Sequence, residues 1–351
     1  MTDRTHSHDR PAKSTDYTTD AARTTDAVEP GDIPELSVVV IAKNEADRIA
    51  TCLESVFRAA DGVAPFEVIL VDSASTDETV DIARQYPVTV LRIPAEHVVS
   101  CGAGRYVGDQ VARGDVVLHV DGDMKLTEDW LGHAVSYLRE HDVAGVEGWL
   151  NESNATEPMV VDKLGGVMLY DRDALESIGG WAPYLQSYED IDVGYRLTAA
   201  GYRLVRLPHV SAVHPLGDPI SEPFRRWRAG YYHGVGQAIR YASDSPRVLL
   251  RLLRRQHYKA ALVAWATLGV LSLATGFGIF AWLAASTLGF AIVARKLGVR
   301  EAVQFLLTKS FGVVGATVGL FDPAAPQSTY PLEEIEVVDA GPVPEAQADF
   351  A

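Results

Sequence analysis

Two pairs of carboxylates stand about 70 residues apart in this 351-residue chain, Asp121-Gly122-Asp123 and Glu189-Asp190. The first pair follows the apolar run Val116–Val120, so both side chains emerge at the end of a predicted strand. Two hard oxygen donors so placed can hold Mg2+ or Mn2+ and leave coordination positions open for phosphate oxygens. An ion of that kind offsets the charge that builds on a departing phosphate. The second pair opens a helix-like stretch, where a carboxylate can serve as general base towards an attacking hydroxyl. Each motif has a plainer reading on its own: aspartates often begin loops, and acidic residues in a first helical turn complement the helix dipole.

The elements that must position these groups alternate along the chain. Leu36–Ala42 is a continuous apolar strand, and Ile49, Cys52, Leu53 and Val56 follow at helical spacing. Val68–Asp72, Val88–Ile93 and Val116–Val120 continue the strand pattern, with a helix over Gly102–Val111 before the last. Ser75-Thr-Asp-Glu78 has the form of a capping box, with Ser at the N-cap and Glu at N3. Strands covered on both faces and joined by helices predict an α/β fold with a mainly parallel sheet. Such sheets bind ligands beyond the carboxyl ends of their strands, where Asn44-Glu45, Asp72-Ser73 and Asp121-Gly122-Asp123 all fall. Asn44 also reads as a simple helix N-cap.

The net charge of −16 argues against a nucleic-acid partner and is the balance expected of a halophile's protein. Cys52 and Cys101 lack metal-ligand spacing and read as buried free thiols. No apolar core follows a basic stretch at the N-terminus, so no signal peptide is expected and the catalytic part is expected in the cytoplasm. Residues 1–34 and 322–351 hold too few large apolar side chains to offset ordering entropy, and both are expected to be disordered tails. Between them, residues 35–222 form the catalytic unit and 223–259 a basic juxtamembrane stretch, in which nine Arg and Lys from Arg225 to Lys259 face the single acid Asp244. That stretch is either a platform for anionic lipid or only a topology signal.

Ala260–Ala294 carries no charge and is too long for one span, which needs about 20 residues, so it suggests a hairpin turning near Thr275–Gly278. Arg254, Arg255 and Lys259 flank one end and Arg295, Lys296 and Arg300 the other, so both ends are expected on the cytoplasmic side. Residues 295–321 then supply either an interfacial helix or a third span, interrupted by Lys309.

Taken together, Ala42-Lys43-Asn44-Glu45, Asp72-Ser-Ala-Ser-Thr-Asp77, Asp121-Gly122-Asp123, Gly179-Gly180-Trp181 and Glu189-Asp190 resemble family 2 glycosyltransferases over about residues 35–215. The resemblance implies a GT-A fold, Rossmann-like, and inverting transfer from a nucleotide-diphospho-sugar. It assigns Asp72 to the base and ribose region, Glu45 to the ribose, and Arg105 to the nucleotide side. Asp121 and Asp123 become ligands of Mg2+ or Mn2+, with His214 a candidate third ligand or a structural histidine at a strand end. Asp190 becomes the base, with Glu189 orienting it or the acceptor, and Asp77 helps the following helix start. Tyr106 stands where related sequences place Asn. Pro223 replaces the Gln of the Gln-x-x-Arg-Trp found in processive synthases, which speaks against long-chain synthesis. A basic platform beside a membrane hairpin suits a polyprenyl (dolichyl) phosphate-linked glycan as acceptor. A synthase charging the bare lipid phosphate, and a catalytically silent glycan-binding scaffold, are the alternatives.

Overall fold

Along strand β1 (Leu36–Ala42), Val38 and Val40 enter one apolar cluster and Val39 and Ile41 another, so the strand is covered on both faces. The computed structural model describes residues 33–215, 218–322 and 325–341. In it β2 (Phe66–Asp72), β3 (Thr89–Arg92) and β4 (Val116–Asp121) join β1 in the parallel order β3-β2-β1-β4. The register pairs Ala42 with Asp72 and Ile41 with Asp121, so the ends of these three strands open on the same edge. Helices α1 (Ile49–Ala60) and α2 (Thr79–Ala83) cover one face, and α3 (Cys101–Val111) the other.

The second half adds β5 (Lys125–Leu126), α4 (Trp130–Glu140), β6 (Gly145–Leu150), β7 (Met159–Val161), β8 (Met168–Asp171), α5 (Arg172–Ser177), α6 (Glu189–Ala200) and β9 (Leu204–Val213). Its pairing is mixed. β8 runs antiparallel to both β4 and β6, β6 is parallel to β9, and β5 and β7 pair antiparallel with β9. The parallel sheet anticipated from the apolar runs therefore ends at β4, because buried apolar residues mark a strand without encoding its neighbour's direction.

Six helices follow: α7 (Ser221–Arg228), α8 (Gly234–Tyr241), α9 (Pro246–Arg255), α10 (His257–Ser272), α11 (Phe277–Leu297) and α12 (Val299–Gly319). The basic stretch is not detached from the domain. Ile191 and Tyr195 of α6 share an apolar cluster with Ala238 of α8 and Val248 and Leu252 of α9. Among the described residues, three segments are long and apolar enough to cross a membrane: His257–Thr275, Phe277–Leu297 and Val299–Gly319. α11 has no buried residue, whereas α12 buries Ala302, Gly312, Gly315, Ala316 and Gly319 and packs on α7 and α8.

The acidic stretch from Asp322 departs from the expected disorder. Tyr330 and Ile335 are buried with Leu91 and Tyr106, and β10 (Glu336–Asp339) pairs antiparallel with the edge strand β3. Its composition conceals this because a waiting edge strand supplies the backbone partners and few apolar side chains are then needed. Residues 1–32 and 342–351 of the two expected tails lie outside the described residues. Of the two cysteines, Cys52 is buried as expected, but Cys101 is exposed at the start of α3.

Candidate active site

The loops after β1 and β2 are knitted into one ridge. The Asn44 amide donates to Ser75 Oγ at 2.8 Å, and Asn44 Oδ1 accepts from the Thr76 amide at 2.8 Å. The Glu45 amide donates to Thr79 Oγ1 at 2.8 Å and the Ala46 amide to Asp77 Oδ2 at 3.2 Å. The expected capping box does not form: Ser75 faces Asn44, and α2 starts at Thr79 without a cap from it. Asp77 does serve the helix start, accepting from the Thr79 amide at 3.1 Å. Asn44 is not an N-cap either, since α1 begins only at Ile49. It adopts φ 56°, and Ala74 in the facing loop adopts φ 58°, conformations that cost energy and gather at functional sites.

Asp72 lies under this ridge. Its Oδ2 accepts from the Ser75 amide at 3.0 Å and from Arg92 Nε at 3.2 Å. Its Oδ1 is buried without a hydrogen-bond partner among the described residues, an acceptor left for a ligand's N–H. Glu45 accepts from Arg48 Nε at 2.7 Å, and burial raises its carboxyl above the ordinary range although Arg48 opposes the shift.

Arg105 is the hub. α3 lies close on β1 because Gly104 and Gly108 leave no room for more: an added Cβ would meet Ile41 at 2.8 Å and Val39 at 2.3 Å. That approach brings the buried Arg105 between the two carboxylate motifs. Its Nη2 donates to Asp121 Oδ1 at 2.7 Å and its Nη1 to Glu189 Oε1 at 2.6 Å, with the guanidinium 5.2 Å from the centre of the Trp181 ring. Arg105 thus forms a buried bridge joining both motifs. Behind it, Trp181 Nε1 donates to His119 Nε2 at 3.3 Å, and His119 touches Asp109 at 3.4 Å. Burial lowers the histidine well below its ordinary value and raises the Asp109 carboxyl well above its own, so both shifts disfavour an ion pair here.

Asp123 Oδ2 lies 3.3 Å from His214 Nε2. Burial pushes Asp123 up, but the hydrogen bond and charge of His214 outweigh it and hold the carboxyl below its ordinary value. The same hydrogen bond raises His214. Asp123 Oδ1 is buried without a partner among the described residues, and burial raises Asp121 despite Arg105. The unpartnered Asp123 oxygen, the His214 imidazole and the Asp121 carboxylate are donors suited to a divalent cation. Among the described residues, however, no three His, Cys, Asp or Glu form a ready-made cage, so phosphate oxygens would have to complete the shell.

On the other side, Glu189 and Asp190 begin α6 behind Tyr188, whose φ of 71° is left-handed. Burial raises Glu189, with Arg105 opposing. Asp190 Oδ2 pairs with Lys163 Nζ, and Oδ1 accepts from the Ile191 amide at 2.8 Å. Sequence reasoning missed Lys163. It stands between β7 and β8 in a loop pressed on α6, where a Cβ on Gly194 would meet Lys163 Cα at 2.5 Å. Tyr231 was missed too: Arg226 stacks on its ring at 4.9 Å, burial raises its phenol, and the charges of Glu189 and Asp190 reach it. Tyr106, in the place of the expected Asn, makes an edge contact with Tyr330 at 5.9 Å.

Residues 37–159 match the model of glycosyl transferase family 2. Glycosyltransferase AglE of Haloferax volcanii is 26% identical over 219 residues, covering 55% of this chain and 72% of AglE. The beta-monoglucosyldiacylglycerol synthase of Nostoc sp. is 26% identical over 196 residues, but these span only 42% of that enzyme. Among solved structures, the mannosyltransferase PcManGT from Pyrobaculum calidifontis, in complex with GDP-Man and Mn2+, superposes with a TM-score of 0.57 at 19% identity. The match covers 85% of this chain and 90% of PcManGT, a likeness of fold. Residues 37–159 are thus a glycosyl transferase family 2 domain, in a chain of GT-A-like fold that continues into helices apolar enough to anchor it in a membrane.

Proposed function

We propose that the protein is an inverting glycosyltransferase that moves a sugar from a nucleotide-diphospho-sugar to a polyprenyl (dolichyl) phosphate-linked glycan at the cytoplasmic face of the membrane. The observation that carries this reading is the Arg105 bridge, which turns motifs about 70 residues apart towards one cleft. Asp72 and Glu45 would take the base and ribose. Asp121, Asp123 and His214 would hold Mg2+ or Mn2+, which when bound neutralises charge on the leaving nucleoside diphosphate.

Asp190 would accept the acceptor hydroxyl's proton as the oxygen attacks the anomeric carbon from the face opposite the diphosphate. One carboxylate suffices for this displacement. Lys163 and the Ile191 amide aim it, and Glu189, fixed by Arg105, holds the helix start. Likeness to a beta-monoglucosyldiacylglycerol synthase supports a lipid-borne acceptor.

The pairing of β10 with β3 supports a definite topology. The three apolar helices lie between those strands, and three crossings would leave the strands on opposite sides of the bilayer. An even number is required. α10 and α11 form the spanning hairpin, and α12, packed through its small-residue face, stays with the domain. Basic residues at Arg254, Arg255, Arg295 and Lys296 favour a cytoplasmic domain.

The test is mass spectrometry of lipid-linked glycans from cells lacking this gene and from complemented cells. A ladder stopping one sugar short is the expected result. Loss of a singly glycosylated lipid phosphate would instead identify a synthase acting on the bare lipid. An unchanged profile would sink the lipid acceptor.

A further inference from the structure

Three polar atoms are buried without a hydrogen-bond partner among the described residues: Lys259 Nζ and Gln256 Oε1 at the start of α10, and the hydroxyl of Tyr232, a residue packed on α12. Lys259, in the first turn of α10, is only 8% exposed. It folds inward over Gly312 of α12, where a Cβ would meet its Cε at 3.8 Å and its Nζ at 3.9 Å. Lys309, about one turn before Gly312, reaches the same place. Its ammonium lies 4.2 Å from the centre of the Tyr258 ring, and that of Lys259 lies 6.0 Å from it. Tyr232 packs along the same stretch, 5.9 Å from the Phe311 ring and against Gly315, where a Cβ would meet Tyr232 Cβ at 2.4 Å.

Neither lysine meets an acid among the described residues. A lysine near the end of an apolar helix ordinarily extends its amine towards water. Lys259 does the reverse, and a buried amine without a counter-ion is costly enough to require one. Two ammonium groups around one aromatic ring, with the Gln256 amide three residues before Lys259 and Tyr232 packed along the same stretch of α12, suit a phosphate carrying more than one negative charge.

The position relates this cluster to the reaction. Gln256 Nε2 donates to the Tyr188 hydroxyl at 3.3 Å, and Tyr188 immediately precedes Glu189 and Asp190. The cluster also stands where the apolar run of α10 begins, so a ligand held here by its phosphate can lay a hydrocarbon tail along α10 to α12. We infer that Lys259, Lys309, Gln256 and Tyr232 form the binding site for the phosphate of the lipid acceptor, an inference that rests on the lipid-acceptor reading above. Gly312 and Gly315 keep the site open by letting Lys259 and Tyr232 lie against the α12 backbone.

The test uses the full-length protein in lipid nanodiscs and three probes: a polyprenyl monophosphate, phosphatidylglycerol and inorganic phosphate. Binding is read by native mass spectrometry, and sugar transfer is assayed in the same nanodiscs with a polyprenyl phosphate-linked glycan as acceptor. Polyprenyl phosphate is expected to bind wild type best, about 10-fold more weakly to Lys259→Gln or Lys309→Gln, and about 100-fold more weakly to the double variant, with nucleotide-sugar binding unchanged. Lys309→Gln alters a half-buried side chain and keeps the test available should Lys259→Gln not fold. Equal retention by the variants would overturn the site, as would wild-type transfer kinetics in the double variant. Phosphatidylglycerol binding as tightly would mark a general lipid surface, and inorganic phosphate binding as tightly a free-phosphate site; either result overturns the acceptor assignment. Lysine-dependent binding without any transfer by wild type to the phosphate-linked glycan would instead fault the proposed reaction.

Discussion

Asp121 and Asp123 leave the end of a strand fixed by its ladders to β1 and β8, whereas Glu189 and Asp190 stand on a helix start that distant side chains hold. In the first region the main chain does the positioning, and Asp72 and Asp121 fall on one edge because the register of three parallel strands puts them there. In the second Arg105 comes from α3, Lys163 from the β7–β8 loop, and Gln256 from the turn before α10. Changes to side chains should therefore leave the first region's geometry in place and disturb the second.

The sharpest way to break this contrast is Arg105→Ala, which removes a tie common to both regions and strands the buried Glu189 and the half-buried Asp121. Transfer should fall by about 1,000-fold, and thermal or denaturant unfolding should show a loss of about 3–5 kcal/mol. Unchanged stability would mean that the bridge does not hold the helix start.

Tyr330→Ala probes a different long-range contact, the returning C-terminal stretch. The ring is buried and its hydroxyl donates to the Val98 carbonyl at 2.7 Å, so a loss of about 3 kcal/mol is expected in denaturant titration. The kcat of the molecules that remain folded should be unaltered, since this contact lies away from the cleft's carboxylates.

Lys163→Met sharpens the comparison in the second region alone. Steady-state kinetics should show kcat down by about 10-fold with the KM for nucleotide-sugar unmoved. A raised KM for the donor would instead place Lys163 on the nucleotide side.

The smallest effect is expected in the ridge between the first two loops. Against a burial that would raise it, hydrogen bonds from Thr79 and the Ala46 amide hold the Asp77 carboxyl below its ordinary value. A carboxyl lowered in the folded state stabilises the fold above its unfolded value, and that stabilisation disappears as pH falls through the folded value. Asp77→Asn should therefore cost well under about 1 kcal/mol at neutral pH, because solvent screens this exposed carboxyl. The cost should vanish once Asp77 is protonated in both the folded and unfolded states, as measured by urea unfolding across pH.

The same contrast explains what could be read from the chain. β1 was legible to the residue, and the strand ends carrying Asp72 and Asp121 were legible because a continuous apolar run followed by polar residues is a local signal. Glu189-Asp190 was legible as a motif, but its partners were not. Nothing in the neighbourhood of Lys163 or Gln256 announces a contact with α6, because such contacts depend on the folded path of the chain. The capping-box reading of Ser75 failed for the same reason: the Asn44 amide, 31 positions away, claims its hydroxyl. The return of Tyr330 and β10 was hidden in an acidic composition that resembles a tail, since an edge strand's unpaired backbone leaves no trace in the sequence that will cover it.

The most direct test of the account is single-turnover transfer by purified full-length protein in nanodiscs, comparing wild type with Asp190→Asn on a labelled nucleotide-sugar and a polyprenyl-phosphate-linked acceptor. Donor binding would be measured in the same preparation. The account predicts an inverted product from wild type and a loss of at least about 100-fold in the variant, with donor affinity preserved. Transfer by Asp190→Asn at the wild-type rate, or a product that retains the donor's anomeric configuration, would contradict it.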